Sequence, residues 1–284
     1  MRPLLPCEEQ SGSSAEHVKF DRSGDETAVS LTCNEPKING KFEFDEAFDS
    51  LADQMAVFKE LEDLLTSALH GYNVTIFAYG QTGSGKTYTM EGGPDPEIAA
   101  ADPNNSGAGI IPRAAKLIFD TKKDLERLGW EYEFKTSFLE IYNEELRDLL
   151  SGDKPVTDSK GKQIKLEIQS SGRDILVPGL TEQCVDTPDQ VCKLLSKALK
   201  RRTVGSTKCN DKSSRSHAVF RLIIKSRHND VQQESTLSLV DLAGSERLKE
   251  SESSGDRLVE AQHINKSLST LKLCIRSQAL MNKK

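Results

Sequence analysis

The sequence predicts an α/β fold: a central mixed, mostly parallel sheet flanked by helices on both faces. Three observations point there. Short apolar strands interleave with helices of 3.6-residue period along the chain. One strand, Thr75-Ile76-Phe77-Ala78-Tyr79, reads as a buried strand of a parallel sheet and runs straight into a glycine-rich loop. A second, Ser235 to Leu242, carries Asp241 near its end and is followed at once by Gly244.

The 284 residues are 36% hydrophobic and 29% charged, which suits one large soluble globular domain or two small ones. No apolar run reaches the length of a membrane span, and the N-terminus has no signal-peptide core. Six cysteines are scattered with no C-x-x-C pair, which argues for free thiols in a reducing compartment rather than a disulfide framework or a zinc site. The net charge of −6 argues against a general nucleic-acid binder. Its distribution is uneven. Lys193 to His228 holds eleven Lys or Arg against one acid, Asp211, and Arg247 to Lys284 holds eight against four. An acidic chain with a basic later part suggests one directed, acidic partner.

Taken in order, Val18 to Phe20, Ala28 to Cys33 and Lys41 to Phe44 are short strand candidates between polar turns. Asp53 is a plausible N-cap for a helix with Val57, Phe58, Leu61, Leu64, Leu65 and Leu69 on its apolar side, stopped by Gly71. Gly92 to Gly109, rich in Gly, Pro, Asp, Asn and Ala, reads as an exposed, mobile insertion. Pro112 opens a helix that Gly129 closes, and Tyr132 to Tyr142 is a long strand with Phe134 and Phe138 on one side. Ser151 to Lys162 is a polar hairpin or loop. Thr187-Pro188-Asp189-Gln190 starts a helix, with Pro at the first position and Gln three after the cap. His217 to Arg227 alternates as a strand, and from about Asp256 the pattern is helical to the end.

The chemistry lies in three polar segments. Gly80-Gln81-Thr82-Gly83-Ser84-Gly85-Lys86-Thr87 fits the phosphate loop G-x-x-x-x-G-K-[ST]. Its glycines let backbone N–H groups turn toward phosphate oxygens, Lys86 reaches the β- and γ-phosphates, and Thr87 offers a hydroxyl to Mg²⁺. Asp241, closing an apolar strand, stands where such folds keep the acid that supports the metal, and Gly244 can bring a backbone N–H to a γ-phosphate. Asn210-Asp211-Lys212-Ser213-Ser214-Arg215-Ser216-His217 packs hydroxyls, a guanidinium and an imidazole into one short run. Serine hydroxyls can ligate Mg²⁺, and a guanidinium can pair with a carboxylate. The plainer alternatives for that run are a polar helix cap or a phosphorylation-prone loop.

These motifs, in this order and spacing, resemble the P-loop, switch I and switch II of the kinesin motor domain. The likeness covers essentially the whole chain, including Phe44-Asp45-Glu46-Ala47-Phe48, Ser137 to Glu144 and Glu260 to Leu268. It looks most like the C-terminal-motor, minus-end-directed class. The resemblance implies a P-loop NTPase that uses ATP and Mg²⁺, with Thr87, Ser214 and Asp241 at the metal and Ser213 and Gly244 at the γ-phosphate. It also implies that Arg215 pairs with Glu246 when the site closes, holding the lytic water. Arg202 and Asn210 match positions flanking the switch, and Tyr88 falls beside the purine. Arg2 and Pro3 match the end of an adenine-binding motif whose first Arg has no counterpart.

The implied partner is the microtubule, whose surface is acidic, with no nucleic acid and no membrane involved. Arg247, Lys249, Arg257, Lys266 and Lys272 are candidate contacts, followed by Arg276, Lys283 and Lys284, with a hairpin near Gly172 to Leu180. The expected locale is the cytoplasmic microtubule cytoskeleton. Residues 1–284 read as one motor domain lacking most of the family's first strand and its C-terminal tubulin-contacting loop and helix, last strand and last helix, so apolar surface is expected to be exposed and the chain poorly soluble or only partly active. Dimerisation is expected only through segments outside this chain. The alternatives are a non-motile, nucleotide-gated microtubule binder or an inactive truncated motor. A GTPase would need N-K-x-D, and Asn265-Lys266-Ser267-Leu268 lacks the acid.

Overall fold

A computed structural model describes residues 18–23, 26–34, 37–93, 106–151, 165–171, 174–204, 212–246 and 256–281. The expectations for Arg2, Pro3, Asn210, Arg247, Lys249, Lys283 and Lys284 fall outside these residues, as do most of the Gly92-to-Gly109 insertion and the Ser151-to-Lys162 loop. The chain divides into two compact units, Met1–Glu60 and Leu61–Lys284.

In the first unit the three strand candidates form one antiparallel sheet, β1 (Val18–Ser23), β2 (Glu26–Asn34) and β3 (Lys37–Phe44). Helix α1 (Gln54–Lys59) follows, and the Asp53 carboxylate accepts the Ala56 N–H at 2.8 Å, the N-cap its sequence position predicts.

The helix expected to run unbroken from Asp53 to Gly71 is instead interrupted. A second segment, α2 (Glu62–Ser67), starts at Leu61 without a side-chain cap and tightens into a 3₁₀ turn, Ala68–His70. Leu65, Ala68 and Leu69 are completely buried there, and the tighter turn that places them is not something an unbroken 3.6-residue period anticipates. Gly71 ends the turn at φ 91°, a left-handed conformation that glycine adopts without steric cost.

The main sheet of the second unit is built from β4 (Val74–Ala78), β5 (Glu131–Tyr142), β6 (Glu145–Asp148), β9 (Gln183–Cys184), β10 (His217–His228) and β11 (Val231–Asp241). Their order is β4-β11-β10-β5-β6, with β9 also paired to β5. A separate ribbon, β7 (Gln169–Ser171) with β8 (Asp174–Leu176), stands where a hairpin is expected near Gly172. The sheet is mixed, as predicted, but it is not mostly parallel among the described residues. β4 and β11 run parallel, and every other pair is antiparallel. The cause is local. Asn229 at φ 52° joins β10 to β11 through Asp230, and Asn143 and Glu144 at φ 49° and 61° join β5 to β6. Such two-residue links reverse a chain but cannot carry it back to a parallel start.

Four more helices complete the unit: α3 (Lys86–Met90), α4 (Ile110–Arg127), α5 (Pro188–Val204) and α6 (Asp256–Met281). The sequence starts α4 at Pro112, whereas the helix begins at Ile110, placing the proline inside a first turn that needs no N–H from it. Ile111 of α4 and Leu195 and Leu199 of α5 meet Phe138, Phe220 and Leu239 on one face of the sheet. Leu268 of α6 meets Val240 and Leu242 on the other. Successive residues of β11 thus feed opposite layers. Fully buried side chains such as Phe119, Phe134, Leu195 and Leu239 contribute roughly 1.5–3 kcal/mol each.

β4 differs from the buried central strand expected. It forms an edge of the described sheet, and Phe77 is 41% exposed. At the opposite corner, Trp130 stacks on His228 with ring centroids 5.0 Å apart, and Tyr132 stacks on Phe134 beyond it. Among the described residues no helix is long and apolar enough to cross a membrane.

Candidate nucleotide-binding site

β4 delivers the chain into a loop whose shape depends on glycine. Gly83 and Gly85 adopt φ 77° and 98°, and a Cβ on Gly80 would meet Ser84 Oγ at 2.5 Å. The Ser84 N–H donates to Gln81 O at 3.1 Å, and Gly85 opens α3. Lys86 folds over the loop and donates to Gln81 O at 2.9 Å. Burial lowers its pKa, while the carboxylates of Asp241 and Glu246 act to raise it.

Because β4 and β11 are parallel neighbours, Ala78 stands opposite Asp241 and the two loops leave the sheet together. Thr87 Oγ1 donates to Asp241 Oδ2 at 2.7 Å, while Asp241 Oδ1 is buried and accepts no hydrogen bond. That unused acceptor beside a threonine hydroxyl fits a hydrated Mg²⁺ held mainly by hydroxyls and phosphate oxygens. Among the described residues no group of three His, Cys, Asp or Glu could hold a metal alone.

The turn after β11 is pinned on both sides. Leu242 N–H donates to Ala78 O at 3.3 Å, Ser245 N–H to Gly80 O at 3.0 Å and Gly244 N–H to Ser214 O at 2.8 Å. A Cβ on Gly244 would push aside the side-chain oxygens of Thr82 and Glu246 that meet beside it. Ser213, Ser214 and Arg215 lie in a 3₁₀ turn, Lys212–Arg215. The structure therefore gathers Gly80 to Thr87, Ser214, Asp241, Gly244 and Glu246 at one end of the sheet. Tyr88 follows in α3, half exposed, its ring against Gly93.

The pair expected between Arg215 and Glu246 is not formed. Arg215 Nη1 donates to Glu260 Oε2 at 2.8 Å. Glu246 instead accepts the Thr82 N–H at 2.8 Å and the Thr82 hydroxyl. Burial alone would raise the Glu246 carboxyl, but these bonds and the Lys86 charge hold its pKa below the ordinary value. Each partner satisfies a charge that the open arrangement would otherwise leave bare.

Behind the phosphate loop lies a buried cluster that motif spacing does not reveal. Arg202 Nη1 donates to Glu91 Oε1 at 2.9 Å and Asp241 Oδ2 at 3.1 Å, and Arg202 Nε is 3.9 Å from Glu140 Oε1. Burial pushes the Glu91 carboxyl up to about 7, Arg202 opposes it and Asp241 adds to it. Glu91 directly follows a helix that begins with the phosphate-loop lysine and Arg202 ends the apolar face of α5, but nothing in either local pattern pairs the two.

Comparison with known proteins gives a consistent answer. A family model described as "Kinesin motor domain" matches residues 1–284. The chain is 44% identical over 276 residues to "Kinesin-like protein KIN-14N" of Oryza sativa subsp. japonica, covering 95% of this chain and 34% of that protein. It is 44% identical over 288 residues to "Carboxy-terminal kinesin 2" of Xenopus laevis, covering 98% and 43%. The chain thus spans well under half the length of these relatives. The solved motor domain of the kinesin-like protein Kar3 of Saccharomyces cerevisiae superposes with a TM-score of 0.75 at 36% identity, covering 95% of this chain and 77% of that one.

Proposed function

The chain belongs to the kinesin motor domain family, and from that premise we propose that it binds and hydrolyses ATP with Mg²⁺ and couples the cycle to binding of, and movement along, microtubules. The observation that carries this reading is the turn from Asp241 to Glu246, strung between the phosphate loop at Gly80 and the serine turn at Ser214. A change at the γ-phosphate is felt at once by three segments.

In this reading Thr87 and Ser214 hold the metal with Asp241 behind them, and Lys86 spans the terminal phosphates. Bound there, Mg²⁺ neutralises charge on the phosphate oxygens. Ser213 and, once it leaves Ser214 O on closure, the Gly244 N–H address the γ-phosphate, and Arg2, Pro3, Tyr88 and Asn210 serve the nucleotide's remaining parts. On closure Arg215 exchanges Glu260 for Glu246, and Glu246 gives up Thr82. The attacking water is then placed by the new pair, so catalysis is positioning and electrostatics with no covalent intermediate.

The microtubule-facing surface is assigned to the region after the turn, including Lys266, Lys272 and Arg276 on α6 and the β7–β8 ribbon. Arg257, at the start of that helix, is included. The protein is read as one motor domain of the C-terminal-motor, minus-end-directed class, acting on the cytoplasmic microtubule cytoskeleton and dimerising through segments outside this chain.

Three variants test the mechanism. Lys86→Ala is expected to weaken ATP binding about 10- to 100-fold, the worth of a charged hydrogen bond. Arg215→Ala and Glu246→Ala keep binding but lose roughly 10²–10³ in microtubule-stimulated turnover. Wild-type turnover in both switch variants would overturn the assignment. Turnover with and without microtubules separates a motor from a nucleotide-gated binder that does not hydrolyse ATP.

A further inference from the structure

His217 closes the serine-rich run, yet the roles assigned above make no use of it. It is buried at the start of β10, where three segments meet. Its proton position follows from its partners. Nδ1 lies 3.0 Å from the Ala243 backbone N–H, a group that can only donate, so Nδ1 accepts and carries no hydrogen. The ring is therefore neutral, with its proton on Nε2. That nitrogen is 2.8 Å from Ser267 Oγ, so here the imidazole donates and the hydroxyl accepts. The Ser267 hydroxyl in turn donates a hydrogen bond to Ile264 O at 2.8 Å. Each group is used once and in one direction.

The chain of bonds joins two parts that matter. Ala243 lies inside the turn between Asp241 and Gly244. Ser267 and Ile264 sit on α6, beside the Leu268 contact with Val240 and Leu242. Apolar packing of that kind is non-directional and tolerates small slips. A hydrogen bond does not: beyond a few tenths of an ångström or with poor alignment it is lost. The apolar contact lets α6 lie on the sheet, and the polar chain fixes where it lies. Burial lowers the His217 pKa, with Arg202 in the same direction and Asp241 opposing, which agrees with a neutral ring.

We propose that His217 is a positioning residue which, as the neutral Nε2–H tautomer, ties the Asp241-to-Gly244 turn to helix α6, so that neither moves without the other. Its functional consequence rests on the motor reading: filament contact along α6 reaches Gly244 through this imidazole. Ser267 is the far anchor of the tie, outside the nucleotide site.

Ser267→Ala deletes the acceptor on the helix and leaves ring and nucleotide site in place, whereas Ser267→Thr keeps a hydroxyl. His217→Asn retains an acceptor for Ala243 but is too short to reach Ser267. The measurements are the ¹⁵N shifts of the His217 ring, amide exchange at Ala243, and ATP turnover with and without microtubules. The expected result is an Nε2–H ring in the wild type. Ser267→Ala should keep basal turnover, quicken exchange at Ala243 and lose about three- to tenfold of the stimulation, the worth of one hydrogen bond. Ser267→Thr should retain stimulation, and His217→Asn should lose it as Ser267→Ala does. A proton on Nδ1, or wild-type stimulation in Ser267→Ala, overturns the proposal. If the wild type itself is not stimulated, the motor reading fails, while ring tautomer and Ala243 exchange still decide the tie.

Discussion

One guanidinium serving three carboxylates is the feature of this molecule most sensitive to its surroundings. Arg202, Glu91, Asp241 and Glu140 are all buried, so with every acid ionised the cluster would carry excess negative charge out of water. Glu91 holds its proton up to about pH 7, chiefly because it is buried, with Asp241 adding to the effect and Arg202 opposing it. The sign of the consequence follows from linkage. Its folded pKa lies above the ordinary 4.5, so across pH 4.5 to 7 the folded protein binds a proton that the unfolded chain has released. Stability of the nucleotide-free protein therefore falls as pH rises through that window. Glu91→Gln, nearly the same shape without the charge, is expected to flatten the fall, as thermal unfolding measured across the window would register. A variant with the wild-type slope would assign the titration elsewhere. Lys86, Thr87, Asp241 and Gly244 were legible in the sequence because their spacing along one chain is set by the chemistry they perform. Glu91 was not, because its partner lies 111 residues away and only the fold brings them together.

At the scale of elements, starts and stops were read well wherever a local backbone group demanded a particular residue. Asp53 caps α1, Pro188 is the first residue of α5, and Gly71 ends the 3₁₀ turn before β4. Gly71 offers a direct test. Its φ is +91°, and a Cβ there would approach Gln233 Oε1 to 2.8 Å. Gly71→Ala is expected to cost about 1–2 kcal/mol from the left-handed backbone alone, seen as a lower denaturant midpoint with an unchanged slope. A variant as stable as the wild type would mean that the turn relaxes freely. Strand direction was less legible. Alternating burial looks the same in a parallel and an antiparallel pair, and the signal for two of the reversals is confined to short links, Asn143-Glu144 and Asn229-Asp230, that carry no glycine. The break between α1 and α2 was also invisible, since the apolar residues on both sides continue one helical period.

Across the whole molecule, the charge and the apolar surface are both unevenly spread. Leu273, Ile275, Leu280 and Met281 on α6 are 63%, 53%, 59% and 76% exposed. Leu273 and Leu280 are two helical turns apart and share a face. A surface of this kind favours association. The 284-residue chain is expected to form larger species as concentration rises, and the double change of Leu273→Lys and Leu280→Lys to suppress them, as sedimentation velocity would report. Equal sedimentation of both proteins at every concentration would remove α6 as the cause. The corner at Trp130 has a different use. It is the only tryptophan in the chain, stacked on His228 at the end of β10 opposite His217, a 12-residue strand spanning about 35 Å. Its fluorescence is therefore expected to follow the melting of that corner and to change little when a nucleotide occupies the far end, so that emission recorded during a nucleotide titration, flat if the expectation holds, would give unfolding an optical reference separate from occupancy.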